Sequence, residues 1–154
     1  MNHNLVITDN AYVLCEAHIA EWRAGGNLVG FRPYEDGEAL PVCSDCLYDY
    51  GYGAGRDRAT WFELDSAETA SRILVMTEDD PGSFWDSAPS PLSGEWADDP
   101  LTQDIMDILG VTDKEYYDEV VSDWLTAWSE GYEAEIVRMC REMLIAHNEG
   151  EPPF

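Results

Sequence analysis

The sequence predicts an α+β protein, with a zinc-ribbon or treble-clef-like N-terminal module followed by an acidic, mainly helical C-terminal part. Three observations carry this expectation. Two ligand pairs, C-E-A-H at Cys15 and His18 and C-S-D-C at Cys43 and Cys46, are separated by 24 residues, and two such pairs are what a tetrahedral zinc site asks of a chain. Short apolar runs flank these pairs where strands belong. An apolar stripe at spacings of three and four residues then runs through the last third of the chain. The expected organisation is a zinc-binding module over residues 1–58 and an αβ middle with an acidic helical region over 59–154, together one compact domain.

Taken in order, residues 5–7 and 12–14 are apolar runs suited to short strands leading into the first ligand pair. Residues 19–24 continue as one or two helical turns, stopped by Gly25 and Gly26. A strand over 28–31, a turn at 35–37 and a short helix beginning at 47–50 complete the module. Gly51, Gly53 and Gly55 alternate with other residues. They lack the G-x-G-x-x-G spacing of a phosphate cradle and read as a flexible exit. Residues 61–64 read as a strand, and Asp65 with Glu68 as a capping-box-like start for a helix over 66–76, with Ala67, Ala70, Ile73 and Leu74 on one face. Residues 78–99 read as loop, pinned to the core by Phe84, Trp85 and Trp96.

Asp99-Pro100 starts and Gly110 stops a helix over 101–109, and Thr112 with Glu115 caps the next. The stripe Tyr117, Val121, Trp124, Trp128, Tyr132, Ile136, Met139 and Met143 then extends either through one helix or through two that meet near 129–131. A glycine in mid-helix costs about 1 kcal/mol relative to alanine, so Gly131 favours the break.

Cys15, His18, Cys43 and Cys46 are the candidate ligands of a structural Zn2+. Four protein ligands close the tetrahedron and leave no position for a catalytic water. A redox C-x-x-C at Cys43 and Cys46 is the competing reading, but it leaves the matching C-x-x-H upstream without a reason. No nucleophile elbow or zinc-protease motif is present, the acidic segments lack the spacing of a calcium-binding loop, and no enzyme activity is expected. Three cysteines in ligand spacing and one left over, Cys140, suit a reducing compartment better than a disulfide framework. With no signal-peptide pattern at the start and no apolar run of membrane-spanning length, a cytoplasmic location is expected.

The net charge is −24, from 32 Asp and Glu against 8 Lys and Arg, so most carboxylates have no basic partner. Direct binding to nucleic acid or to an anionic membrane is disfavoured, because phosphates would meet a repulsive field. The ligand region itself carries Arg23 and Arg32 against Glu16, Glu21, Glu35, Asp36, Glu38 and Asp45, the reverse of a groove reader. The acids concentrate toward the end, with net −7 over residues 1–77 and net −17 over 78–154.

Asp104, Asp107, Glu115, Asp118, Glu119, Asp123, Glu130 and Glu133 fall largely off the apolar stripe. Helical neighbours three or four apart lie about 5–6 Å from each other, and a DNA strand carries a phosphate every ~3.4 Å. These eight are therefore the candidate partner-binding residues, facing a basic nucleic-acid-binding protein as DNA would. The alternative is an adaptor that recognises its partner through Trp85, Trp96 and Tyr52, with the acids serving only solubility. Pairing of two chains through the aromatic stripe stays open.

In size, charge and acid-rich helices the chain resembles the small acidic decoy proteins of phages and mobile elements, antirestriction and anti-CRISPR proteins that look like DNA to their targets. The segment I-A-E-W-R-A-G-G-N-L-V-G-F, residues 19–31, is loosely similar to the opening of the ArdA antirestriction family. The resemblance implies a non-enzymatic inhibitor of a restriction or CRISPR-type complex and assigns no individual residues.

Overall fold

The computed structural model describes residues 5–9, 12–26, 30–35, 40–92 and 99–150. Helices dominate it, and a three-stranded sheet supplies the β component, so the α+β expectation holds at that level. The central strand β1 (Val6–Thr8) pairs antiparallel with β2 (Val13–Leu14) on one side and β3 (Phe31–Pro33) on the other. The helices are α1 (Glu16–Ala24), α2 (Ser44–Ala59), α3 (Ala67–Asp79), α4 (Pro81–Ser87), α5 (Pro100–Leu109) and α6 (Tyr117–Gly150), with a 3-10 turn at Lys114–Tyr116 before the last. Two compact units divide the chain, one of residues 1–51 with 91–127 and one of 52–90 with 128–154.

In the first unit Leu5, Ile7, Val13 and Leu14 of the sheet region form a buried cluster with Ile19 and Cys43, and Trp22, Tyr34 and Cys46 pack partly buried against it. Thr8 closes the β1–β2 connection, its amide donating to the Tyr12 carbonyl at 2.9 Å and its hydroxyl accepting from the Tyr12 amide at 3.1 Å. α1 stops where the glycines predict, at Gly25, with Gly26 at φ +73° in the left-handed region. α5 also forms as its signals dictate. The Asp99 carboxylate accepts from the Leu101 amide at 2.8 Å, Pro100 occupies the first turn, and Gly110 ends the helix at φ +74°. This helix buries Thr102, Ile105, Met106 and Leu109, while the start of α6 buries Val120, Val121, Trp124 and Ala127.

In the second unit Trp128 and Tyr132 of α6 stack with ring centroids 5.2 Å apart, and Phe84 and Trp85 of α4 pack against Tyr132 at 6.2 and 6.1 Å. Glu135 is buried and accepts hydrogen bonds from Arg138, with Arg56 3.6 Å away. A carboxylate out of water needs such partners.

Several sequence expectations change. Residues 51–55 are not a flexible exit but the middle of α2, because glycine here serves helix packing. In the first unit a methyl group on Gly51 would stand 2.6 Å from the Trp124 carbonyl oxygen. In the second unit methyls on Gly55 and Gly131 would strike the carbonyl oxygens of Trp128 and Tyr52. The hydrogen side chain lets backbones approach where any Cβ would intervene. For the same reason α6 runs unbroken for 34 residues; Gly131 is a contact surface rather than a stop.

Residues 61–64 form no strand, and Trp61 stands 73% exposed with the Arg58 guanidinium 4.9 Å from its ring. α3 is capped by Ser66, which accepts from the Thr69 amide, rather than by Asp65. The loop expected over 78–99 contains α4, started by Asp80-Pro81 with the same cap-then-proline signal as α5. Asp113, not Thr112, caps the turn before α6. The strand expected over 28–31 appears at Phe31–Pro33; Leu28, most of the turn at 35–37, and Trp96 lie outside the described residues.

The glycines yield a paired prediction. Gly55→Ala and Gly131→Ala should each lower stability by roughly 1–3 kcal/mol through overpacking. Gly53→Ala, whose methyl meets nothing within 4 Å, should raise it by up to about 1 kcal/mol. Urea unfolding of the three variants checks this, and a uniform gain across all three would refute the packing role.

A second prediction concerns pH. Hydrogen bonding from Arg138 lowers the Glu135 pKa below its ordinary value of 4.5, against the opposing effect of burial. A lowered folded-state pKa gives stability that is fully present above about 4.5 and is lost as pH falls through the depressed value. The melting-temperature difference between wild type and Glu135→Gln should therefore be largest near neutral pH and shrink below pH 4.5. A constant difference across that range would contradict the pairing.

Candidate metal centre

Each ligand pair sits at the start of a helix. Leu14, the fully buried last residue of β2, delivers the chain directly to Cys15, which is the N-cap of α1 in an extended conformation. His18 follows in the first turn, and the Ile19 amide closes that turn onto the Cys15 carbonyl at 2.9 Å. The second pair repeats this layout. Cys43 precedes α2, Cys46 lies in its first turn, the Leu47 amide donates to the Cys43 carbonyl at 3.0 Å, and the Cys46 amide donates to the Cys43 sulfur at 3.4 Å. A three-residue step on a helix puts both side chains on one face, and two helix N-termini together favour negative sulfur.

Two contacts hold the helices in place. The Trp22 indole N–H donates to Asp45 at 2.7 Å, joining α1 to α2, and the Val13 amide donates to the Ser44 hydroxyl at 3.3 Å, joining β2 to α2. Both partners of each contact belong to the first unit.

All four sequence-predicted ligands come together, with one ligand atom from each within 4.8 Å of the others. His18 Nδ1 lies 3.2 Å from the sulfur of Cys15, 3.2 Å from that of Cys43 and 3.4 Å from that of Cys46. The Cys15 and Cys46 sulfurs are 3.7 Å apart. A zinc tetrahedron with metal–sulfur bonds of about 2.3 Å and a metal–nitrogen bond of about 2.0 Å has sulfur–sulfur edges of about 3.8 Å and sulfur–nitrogen edges of about 3.5 Å. The Cys15–Cys46 edge nearly equals that of such a cage, the three sulfur–nitrogen edges are a few tenths of an ångström shorter, and all four ligand atoms lie within 4.8 Å, so the donor set and its spacing are compatible with a metal ion.

The protonation pattern also fits a cation. Burial pushes the Cys15 thiol up, but hydrogen bonds from the His18 backbone and ring and from Cys43 and Cys46 outweigh it, and the pKa falls to about 7. Burial raises Cys43, and burial together with the neighbouring thiols raises Cys46 strongly. Burial lowers His18, yet Cys15, Asp45 and Asp49 raise it overall. Within the cluster, then, the Cys15 thiol ionises most readily, while burial favours the protonated thiols at Cys43 and Cys46. A bound cation displaces those protons and relieves the crowding.

Sequence reasoning missed Asp49. Its carboxylate lies 3.3 Å from His18 Nε2, on the side of the ring away from the sulfurs, while Glu21 is 3.8 Å from the same nitrogen. An acceptor at Nε2 keeps the proton there and frees the Nδ1 lone pair for a metal. The available signal was spacing, since Asp49 follows Cys46 by three residues on one helix.

Of the eight candidate partner-binding acids, Asp104, Asp107, Glu115, Asp118, Glu119 and Asp123 lie in the first unit and are exposed. Glu130, exposed, and Glu133, half-buried, lie in the second. Among the described residues none of the eight enters an ion pair; the pairs formed by Arg56 and Arg138 go to Glu135 and Glu142. Of the aromatic trio proposed for an adaptor, Trp85 is half-buried against Tyr132 and Tyr52 is half-buried on α2. Cys140 is fully buried on α6, where burial raises its thiol, which makes it unreactive.

Cys46→Ser, or treatment with a strong chelator, should remove a tightly held metal and lower the melting temperature by several degrees. Asp49→Asn should weaken metal affinity about 10- to 100-fold with the helix content unchanged. Competition against a metal-sensitive dye measures both, and an unaltered affinity in Asp49→Asn would remove its positioning role. The sequence matches no protein-family model, and comparison with the curated proteins and with the solved structures gives no match either.

Proposed function

We propose that this chain is a non-enzymatic inhibitor whose carboxylates occupy the basic, nucleic-acid-binding surface of a partner protein, and whose Cys15, His18, Cys43 and Cys46 hold a structural Zn2+. Three sulfurs and an imidazole within 4.8 Å of one another suit zinc best among the common cations, and four protein ligands would leave no open position for chemistry. Of the two expected zinc-module forms, the treble-clef-like one is supported by Cys43 and Cys46, since this pair opens a helix rather than a hairpin turn. Four free cysteines suit a reducing compartment such as the cytoplasm. Among the described residues no helix is long and apolar enough to cross a membrane.

The observation that carries the reading is the unpaired acidity of α5 and the first part of α6. Residues 99–133 hold ten carboxylates against the single base Lys114. Among the described residues the eight candidates have no ion-pair partner, and all but one are exposed. Solubility asks for a net charge of only about 2–8 on a domain of this size. Helical carboxylates about 5–6 Å apart present a charge density of the order of a DNA strand. A basic nucleic-acid-handling protein, of the restriction or CRISPR type targeted by the acidic decoys this chain resembles, is the complementary partner.

The immobilised chain should retain such a protein from a bacterial lysate at about 50 mM salt and release it by about 200 mM, since phosphate-like contacts lose affinity steeply with ionic strength. Duplex DNA should displace the partner, and the combined variant Asp104→Asn, Asp107→Asn, Asp118→Asn, Glu119→Gln should fail to retain it. Retention that ignores salt, DNA and the four substitutions would defeat the proposal.

A further inference from the structure

Beside the sulfur cluster of the first unit lies an open pocket of about 100 Å3, lined by Leu5, Val42, Ile108 and Leu109 together with the three ligand cysteines. Four of its seven lining residues are apolar side chains outside the ligand set, so the space reaches from the sulfurs toward Ile108 and Leu109. Its floor is finished core, since Leu5, Val42 and Leu109 are 6%, 2% and 6% exposed. Ile108 is different, an aliphatic side chain left 65% exposed at the rim. A volume of this size holds one leucine, methionine or phenylalanine side chain, and adding it would cover Ile108.

The surroundings specify what carries that side chain. Glu16 and Asp107 adjoin lining residues in sequence, Asp104 lies one turn before Ile108, and Asp49 one turn after Cys46; all four are exposed. No Lys or Arg occurs within four positions of any lining residue. An apolar segment flanked by acids would be repelled here, and so would a second copy of a chain with net charge −24. A segment flanked by lysines or arginines would be drawn in.

The geometry points to this pocket as the anchor site for one apolar side chain of a basic partner segment, with Ile108 as its gate-side wall and Asp104 and Asp107 as the charged rim. The inference rests on the charge-led reading above and deepens it. Exposed carboxylates attract any basic surface and set the encounter rate, whereas a buried anchor within a charged rim selects among basic surfaces.

The test uses the zinc-loaded full chain and two synthetic peptides with identical lysine and arginine flanks, one with a central leucine and one with glycine in its place. By calorimetry at about 50 mM salt, the leucine peptide should bind about tenfold more tightly than the glycine peptide, the gain expected from burying one aliphatic side chain. Ile108→Asn, at an exposed position, should erase that difference while leaving the glycine-peptide affinity intact. Asp104→Asn with Asp107→Asn should weaken both peptides. In the unaltered protein the Ile108 methyl resonance should shift with the leucine peptide alone, a readout that needs no variant.

Equal binding of the two peptides would overturn the anchor site and leave the charge-led reading standing. Failure of both to bind would overturn the two together. Concentration-dependent dimerisation of the free chain that Ile108→Asn abolishes would assign the pocket to a second copy and also overturn the proposal.

Discussion

Three thiols and an imidazole crowded within 4.8 Å are the constraint on which the front of this molecule depends. Such a group has no comfortable protonation state in water-poor surroundings. Fully protonated it leaves weakly satisfied sulfurs in a core, and fully ionised it concentrates negative charge at two helix N-termini that only partly offset it. A divalent cation would resolve the conflict, and once bound it would join the start of α1 to the start of α2. The hydrogen bonds from Trp22 to Asp45 and from Val13 to Ser44 are then the supports of a cross-link. With strands of two and three residues the sheet is too short to hold these helix starts by itself.

A second constraint acts through the absence of side chains. Gly51 in the first unit, and Gly55 and Gly131 in the second, meet backbone carbonyls where a methyl has no room, and within the second unit the rings of Trp128 and Tyr132 stack beside that contact. Small residues at the contact and large ones beside it give close helix packing with the aromatic area buried. Rigidity inside and charge outside are thus supplied by different residues of the same helices.

The sequence made the metal ligands legible because coordination imposes spacing directly on the chain. Helix starts with a cap followed by proline, as at Asp99-Pro100, were legible for the same local reason. The identical signal at Asp80-Pro81 was overlooked inside a segment whose composition suggested loop. What a single sequence hides is long-range. A glycine that breaks a helix and a glycine that lets two helices touch have the same propensity, so local sequence does not distinguish the two roles at residues 51–55 and at Gly131. Only the partner backbone distinguishes them. Asp49 was hidden among 32 acids, and so was Glu135, whose burial sets it apart from the exposed carboxylates around it.

A closed coordination sphere would make the proposed zinc centre a staple and leave recognition to the acidic and apolar surface. X-ray absorption at the zinc edge of the purified chain measures this directly. The predicted spectrum has three sulfur neighbours near 2.3 Å and one nitrogen near 2.0–2.1 Å, with no further light-atom ligand. Fewer sulfurs together with an oxygen neighbour would reveal an open position on the metal and contradict the account.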